Sequence, residues 1–147
     1  MLIEVQPGGS TRGGENVDDI EREIVINAPA ERVWGLVSQA GWWIGDGDRS
    51  RQTRSRESDD VDVVVDPRYG TFRIRTEKAE PHSYVSYRWL DDGNERATTL
   101  VEFWLSEADG ATTLKVVESG FSAAEHREGN IKGWRMQLDV AKAECER

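Results

Sequence analysis

The stretch that decides the fold is residues 84–119, YVSYRWLDDGNERATTLVEFWLSEADGATTLKVVES. Apolar and polar residues alternate in three runs, 84–90, 98–105 and 112–119, which predicts three half-buried β-strands. Turn-forming residues, DDGN and ADG, separate these runs. Connections this short join antiparallel neighbours. We therefore expect a meander of antiparallel strands at the centre of the domain.

Further strand and helix patterns precede this stretch. The run IEREIVI over residues 20–26 predicts a strand, and two more strands are predicted over 61–65 and 71–76. Between the first two, Pro29 suits the first position of a helix, and apolar residues follow at helical spacing until Gly41. The amino-terminal half therefore contributes one strand, one helix and two further strands.

The carboxy-terminal residues form an amphipathic pattern. Residues 122–125 (SAAE) have the form of a capping box, although Gly129 is expected to interrupt a helix that begins there. The order strand, helix, five strands, helix predicts an α+β fold. A curved six-stranded antiparallel sheet would wrap around the long last helix, because the apolar face of the sheet must be covered. The apolar stripe of that helix consists of Ile131, Trp134, Leu138, Ala141 and Cys145.

The composition limits the classes of protein to which the chain can belong. At 147 residues it has room for one domain, and 28 acidic against 19 basic residues give a net charge of −9. This charge argues against nucleic-acid binding, which usually requires a basic surface. A single cysteine, Cys145, precludes an intrachain disulfide, and no apolar run approaches the ~20 residues of a membrane span. We therefore expect a soluble, cytoplasmic protein.

Two polar stretches are predicted to lie outside the packed core. Residues 1–18 are predicted to be a flexible leader, since residues 7–19 (PGGSTRGGENVDD) contain one apolar side chain to offset the entropy of ordering. The single domain then covers 19–147. Residues 46–60 (DGDRSRQTRSRESDD) contain four arginines, five acids and no apolar residue. We interpret this second stretch as a solvated loop with balanced charge, with recognition of an anion as the alternative.

Five short motifs stand in order along the domain, and together they span about residues 20–145. They resemble the pattern of the SRPBCC superfamily, and most closely its branch of heat-shock-protein-90 ATPase activator-like proteins. The motifs are residues 26–34 (INAPAERVW), 42–43 (WW), 80–89 (EPHSYVSYRW), 99–105 (TLVEFWL) and 113–121 (TLKVVESGF) followed by 133–134 (GW).

The resemblance implies a helix-grip fold and a function. The superfamily includes lipid carriers and binders of small hydrophobic molecules, which implies an apolar or aromatic ligand held without a cofactor between the sheet and the last helix. One branch implies instead an interaction module whose partner is a chaperone or another protein, with a role in the stress response. A third branch implies an enzyme of the polyketide cyclase/aromatase type.

The apolar side chains of the predicted strands and of the last helix are expected to point into a shared interior. The two-residue period of a strand places Val85, Tyr87 and Trp89 on one face, and Val101 and Phe103 on one face of the next strand. Any one of these rings could simply fill a core, but many large rings between a curved sheet and one helix are difficult to close-pack, and their number favours a ligand cavity. The predicted ligand-binding residues are Trp42, Phe72, Tyr87, Trp89, Phe103, Val116, Glu118, Trp134 and Leu138.

Glu118 is the most informative polar residue in this set. It shares the parity of Leu114 and Val116, so its carboxylate is predicted to point inward. It could orient a ligand hydroxyl or act as a general acid/base, or it could pair with an arginine or backbone donors at the strand end. Of the adjacent Trp42 and Trp43, we expect one to point inward and the other to flank the entrance or contact a partner.

The sequence lacks the motifs of cofactor-dependent or nucleophilic catalysis. His82 and His126 are far apart and lack the spacing of a metal site, and no glycine-rich phosphate loop follows a strand. We therefore predict no metal and no cofactor. If the protein is an enzyme, we expect a cyclase-like reaction in which Glu118 is the candidate catalytic residue.

Overall fold

The computed structural model describes residues 19–45, 47–90, 99–120 and 124–147, with side chains of the last range described from residue 133 onward. The predicted leader, residues 1–18, lies outside the described residues. The elements in chain order are β1 (Ile20–Ile26), α1 (Ala30–Val37), β2 (Thr53–Ser58), β3 (Val61–Asp66), β4 (Gly70–Glu80), β5 (Tyr84–Leu90), β6 (Leu100–Ala108), β7 (Ala111–Ser119) and α2 (Ala124–Cys145).

The strands form one antiparallel sheet in the order β1-β7-β6-β5-β4-β3-β2. Strands β2 to β7 are consecutive neighbours, as short connections require, and the chain closes this arrangement by pairing β1 with β7. Helix α2 packs against β1 and α1, and α1 packs against β6 and β7. The predicted α+β helix-grip fold, a curved sheet around a long carboxy-terminal helix, is confirmed.

The alternation of apolar and polar residues that predicted the strands also determines which face of each strand is buried. In β7, Thr112, Leu114, Val116 and Glu118 are buried, while the residues between them are half-buried on the outer face. The same period buries Val101, Phe103 and Leu105 in β6. The inner face of the sheet is therefore the apolar side of the core, as the sequence pattern indicated.

The sheet has seven strands rather than the predicted six. The additional strand, β2, lies where a loop was predicted over residues 46–60. All six of its residues are exposed, so neither face shows the apolar alternation from which a strand can be predicted. Its backbone pairs with β3 from Thr53↔Val65 to Ser58↔Val61. Pairing with a partly buried neighbour holds this strand, and its charged side chains suit the edge of a sheet.

Two of the arginines around β2 contact groups that are distant in the sequence. Arg49 forms an ion pair with Glu144 of α2 at 2.7 Å. The Arg54 Nη1 group donates a hydrogen bond to the backbone carbonyl of Ala40 at 2.6 Å. Because these contacts reach other elements, this segment is attached to the domain more firmly than a freely solvated loop would be.

Helix α2 is longer than its sequence pattern indicated. It runs over 22 residues and continues through Gly129, which was expected to interrupt it. A glycine costs a helix only about 1 kcal/mol relative to alanine, which packing of the apolar stripe can offset. Trp134, Leu138, Ala141 and Cys145 of that stripe are buried, and burial raises the pKa of the Cys145 thiol to about 11. In the described part of the chain, no helix is long and apolar enough to span a membrane.

Candidate ligand-binding site

Two adjacent tryptophans follow α1 in a turn. Trp42 is fully buried and Trp43 is 7% exposed, so the prediction that only one points inward is wrong. The rule behind that prediction holds for regular elements, whereas residues 41–44 form a turn closed by a hydrogen bond from Ile44 N to Gly41 O at 3.0 Å. Gly41 permits this turn, because its φ is +77° and an added Cβ would lie 2.8 Å from Ile74 Cδ1.

Trp43 lies at the centre of an aromatic cluster that fills much of the space between sheet and α2. The centroid of its ring is 5.3–6.0 Å from those of five other aromatic rings, in tilted or edge-on arrangements that are favourable for aromatic pairs. Those rings belong to Trp42, Tyr87, Trp89, Phe103 and Trp134.

A cavity of about 310 Å³ adjoins this cluster. Its wall is built from the ends of β5 and β7, one face of α2 and the turns after α1 and β3. Tyr69 and Met136 are 52% and 44% exposed, so they form the rim of the cavity. The lining residues are Trp43, Gly45, Tyr69, Trp89, Glu118, Gly133, Trp134, Met136 and Gln137.

Glu118 places a carboxylate in this wall. It is 1% exposed and points inward, as its parity with Leu114 and Val116 predicted. Trp134 Nε1 donates a hydrogen bond to Glu118 Oε1 at 2.8 Å, and Thr99 Oγ1 donates one to Oε2 at 2.5 Å. These donors help to offset the cost of burying a carboxylate, so the group is held in position beside the cavity.

The turn after α1 is fastened to its surroundings by two glutamines. Gln137 Nε2 of α2 donates a hydrogen bond to Gly45 O at 2.5 Å. Gln52 Nε2 donates to Ile44 O at 3.0 Å and to Asp66 Oδ2 at 3.1 Å. The wall of the cavity near Trp43 is therefore connected to α2 on one side and to the end of β3 on the other.

Asp66 is the buried anchor of this connection. Its Oδ1 accepts hydrogen bonds from Arg68 N at 2.8 Å and Arg68 Nε at 3.2 Å. These contacts, chiefly the Arg68 side chain, lower the pKa of Asp66 to about 2. Arg68 Nη2 in turn donates to Asp48 O at 2.8 Å. An aspartate before a proline is a signal of turns in general, so the sequence did not indicate this anchoring role of Asp66.

The structure divides the predicted ligand-binding residues into two groups. Trp89, Glu118 and Trp134 line the cavity. The other six belong to the surrounding core and are not among the lining residues: Trp42, Phe72, Tyr87, Phe103, Val116 and Leu138.

Members of the second group have clear structural contacts. The Tyr87 hydroxyl donates a hydrogen bond to Val37 O at 2.6 Å, and Phe103 pairs with Val116 across β6 and β7. The ring of Phe72, which is partly buried, is centred 5.7 Å from that of Trp89. These residues support the wall rather than form it.

Several lining residues were not predicted from their sequence pattern. Of the tryptophan pair, only Trp42 is among the predicted ligand-binding residues, because one of two neighbours was expected to point inward. Gly133 and Gln137 are one helical turn apart beside the Trp134–Leu138 stripe, so a polar residue at the margin of that stripe was an available signal. Within the described residues, no cluster of three or more His, Cys, Asp or Glu side chains is arranged to hold a metal.

The antiparallel sheet, the long carboxy-terminal helix and the cavity between them define the helix-grip class of proteins. Residues 27–145 match the sequence profile of the family described as "Activator of Hsp90 ATPase homolog 1-like protein". The chain belongs to this family. No curated protein matches it in a sequence comparison.

Solved structures share the fold, among them the three that follow. MLL2253 from Mesorhizobium loti is 20% identical, with a TM-score of 0.66 over 85% of this chain and 94% of that one. CalU16 from Micromonospora echinospora is 18% identical, with a TM-score of 0.62 over 84% and 71% of the two chains. DynU16, a protein of the dynemicin biosynthetic locus, is 20% identical, with a TM-score of 0.67 over 86% and 46%. Identities at this level establish similarity of fold alone.

Proposed function

We propose that the protein binds a small apolar or aromatic molecule, without a cofactor, in the cavity between the sheet and α2. The observation that carries this proposal is a cavity of about 310 Å³ whose wall combines three indole rings with one buried carboxylate. Small-molecule sites have this character: a concave, mostly apolar wall with a few fixed polar groups. A volume near the lower end of the usual range suits a ligand of two or three fused rings.

The chemistry of the wall favours an aromatic ligand over an aliphatic chain. Trp43, Trp89 and Trp134 line the wall with indole rings, and aromatic pairs gain more than the burial of their area alone. In this proposal Glu118 accepts a hydrogen bond from a ligand hydroxyl, and a cyclase-like reaction would use the same carboxylate as an acid or base. DynU16, which shares the fold, belongs to a biosynthetic locus, and this supports a role with small molecules.

The single cysteine, Cys145, is buried and suits a reducing, cytoplasmic compartment.

A second candidate function is binding of a protein partner, such as a chaperone, through the outer face of the sheet. The rings of Tyr84 and Trp104 are half-buried there, with centroids 5.0 Å apart. Lys115 Nζ lies 5.0 Å from the centroid of Trp104. Aromatic residues with charged neighbours are typical of protein interfaces, and the family name supports this alternative.

The test of ligand binding is to fill the cavity without disturbing the fold. Gly133 lines the cavity, and a Cβ built at this position has no described heavy atom within 4 Å beyond its chain neighbours and the backbone of its own helix. We expect Gly133→Phe to stay folded and to lose at least about tenfold in affinity for the neutral naphthalene dye Prodan, measured by its fluorescence. The matched control is Gly35→Phe in α1, where a Cβ also has no described atom within 4 Å but which lies outside the cavity wall.

The outcomes separate the two candidate functions. Loss of dye binding in Gly133→Phe with retention in Gly35→Phe supports the cavity as the ligand site. Dye binding that is unchanged in Gly133→Phe but lost in Trp104→Ala would contradict the proposal and favour the outer face of the sheet. A wild-type protein that binds no dye would also contradict it.

A further inference from the structure

The junction between the segment that follows α1 and helix α2 leaves several buried polar groups unpaired. Within the described residues, five side-chain polar atoms are buried without a hydrogen-bond partner: Nε1 of Trp42 and of Trp43, Nη1 of Arg49, and Oε1 of Gln52 and of Gln137. Four belong to residues 42–52, and the fifth to Gln137, the α2 residue that donates to Gly45 O at 2.5 Å. Most buried polar atoms in proteins are paired, so their concentration here indicates that closing this junction gains little free energy.

The part of this segment that adjoins α2 is held by polar contacts. Residues 47–52 (GDRSRQ), which we call the strap, contain no apolar side chain. Arg49 Nη2 lies 2.7 Å from Glu144 Oε2 of α2, and these side chains are 21% and 30% exposed, so water competes for the pair. The backbone at Gly47 lies close to Val140, since an added Cβ would be 3.0 Å from Val140 Cγ1. Segments with few buried apolar contacts are the ones that open locally at low cost.

The junction of the strap with α2 also forms one edge of the cavity. Gly45 and Tyr69 line the cavity on the side of the strap, and a Cβ added at Gly45 would lie 3.6 Å from Tyr69 Cε2. Met136 and Gln137 line it on the side of α2. The hydrogen bond from Gln137 to Gly45 O joins the two sides at this edge. Separation of the strap from α2 would therefore widen the cavity.

The remaining contacts of the strap join it to the end of β3 rather than to α2. Gln52 Nε2 donates a hydrogen bond to Asp66 Oδ2 at 3.1 Å, and Arg68 Nη2 donates one to Asp48 O at 2.8 Å. These contacts do not cross the junction with α2, so they can persist when the strap and α2 separate.

We propose, on the basis of the cavity function above, that the strap is a gate to the cavity. It separates from α2 to admit the ligand and closes again through its polar contacts with that helix. Gly45 and Gly47, with φ values of +94° and +98°, lie where the strap begins and can absorb the change in backbone direction. When the gate opens, water reaches the unpaired atoms of Arg49, Gln52 and Gln137, which offsets part of the cost of breaking those contacts.

A disulfide between the strap and α2 tests the gate on the full chain. A Cβ added at Gly47 would lie 3.8 Å from Val140 Cβ, within the ~3.5–4.5 Å that a disulfide requires. In the variant with Gly47→Cys and Val140→Cys, we expect oxidation to slow the association of Prodan at least about tenfold, measured by stopped-flow fluorescence. Dithiothreitol should restore the rate. The reduced form is the matched control, because any strain at position 47 from the substitutions is present in both forms.

The outcomes distinguish failure of the gate from failure of the proposed function. Equal association rates in the oxidised and reduced forms would overturn the gate and leave the proposed function intact. A wild-type protein that binds no dye would overturn both. Wild-type protein given the same oxidant and reductant controls for Cys145, which is 3% exposed, and its rate should not change.

A second variant weakens the closed gate and does not depend on a disulfide. Glu144→Gln removes the ion pair with Arg49 and should raise the association rate of Prodan about threefold. Glu146→Gln is the matched control, since Glu146 pairs with Lys142 at 2.5 Å near the same end of α2 and lies outside the junction. An unchanged rate in Glu144→Gln, or an equal increase in Glu146→Gln, would overturn the role of the ion pair in closing the gate.

Discussion

Two glycines mark the difference between the filled part of the interior and the cavity. A Cβ added at Gly41 would lie 2.8 Å from Ile74 Cδ1 and 3.1 Å from Val64 Cγ2, both in fully buried side chains. Apart from its two chain neighbours and the backbone of its own helix, a Cβ added at Gly133 would meet no described heavy atom within 4 Å. The same apolar interior is thus close-packed around Gly41 and open beside Gly133. We infer that the first region stabilises the fold and that the second keeps space for a ligand.

Truncation of a tryptophan in the filled region and of one beside the cavity should give the largest difference in the free energy of unfolding. Trp42→Ala leaves a void in the filled region and is expected to lower the free energy of unfolding by about 3–5 kcal/mol. Trp89→Ala is expected to lower it by only about 1–2 kcal/mol, because Trp89 is partly exposed and borders the cavity. Urea denaturation followed by circular dichroism measures both. Equal losses would mean that the cavity side is packed as tightly as the rest.

Replacement of each of the two glycines by alanine should change the stability of the protein in opposite directions. Gly41→Ala should destabilise the protein by about 1–3 kcal/mol, because alanine is strained at a φ of +77° and its Cβ crowds Ile74. Gly133→Ala should stabilise it by up to about 1 kcal/mol, since alanine favours the helix and has room for its methyl group. Thermal unfolding of both variants would contradict the comparison if the two melting temperatures moved in the same direction.

Acid should weaken the connection between the cavity wall and the end of β3. Hydrogen bonds from Arg68 lower the pKa of Asp66 to about 2, below the ~3.9 of an unfolded chain. The unfolded state therefore takes up this proton first, so the stabilisation is present above pH ~4 and is lost as the pH falls towards 2. We expect the melting temperatures of the wild type and Asp66→Asn to differ at pH 5 and to converge near pH 2.

The matched control for this pH effect is an exposed carboxylate. Glu57 forms an ion pair with Arg73 at 2.6 Å, which lowers the pKa of Glu57, but its side chain is 45% exposed. Solvent screens such pairs, so Glu57→Gln should change the melting temperature little at either pH. If Asp66→Asn behaved like Glu57→Gln, the proposed anchoring role of Asp66 would be wrong.

Removal of the leader should have the smallest effect. Residues 7–19 contain four glycines and one apolar side chain, so we propose that residues 1–17 contribute little to the packed core. Deletion of 1–17 is expected to change the melting temperature by no more than a few degrees. A decrease of more than about 5 °C would indicate that the leader packs on the domain.

The fold was largely predictable because most strands have one buried and one outer face. The runs over 20–26 and 84–90 coincide with β1 and β5, and the apolar stripe of α2 is buried where its spacing predicted. Strand β2 was not predictable, because a strand exposed on both faces has no hydrophobic period and depends on its hydrogen bonds to β3.

The site was predictable where its residues belong to regular elements. The inward orientation of Glu118 and Trp134 followed from the periods of a strand and a helix. The position of Trp43 did not follow, because the residues of a turn obey no period. Gln137 was missed for a different reason, since a glutamine beside an apolar stripe is more often solvated than buried.

The sequence by itself determined which face of each strand and of the last helix is apolar, and therefore that a sheet must close around α2. Only the tertiary structure decided how completely that interior is filled. Packing depends on the distances between side chains that are far apart in the chain, such as Trp43 and Trp134, whose ring centroids lie 5.7 Å apart. A period along one element carries no information about those distances, so the presence of a cavity and the identity of its wall emerge only when the elements meet.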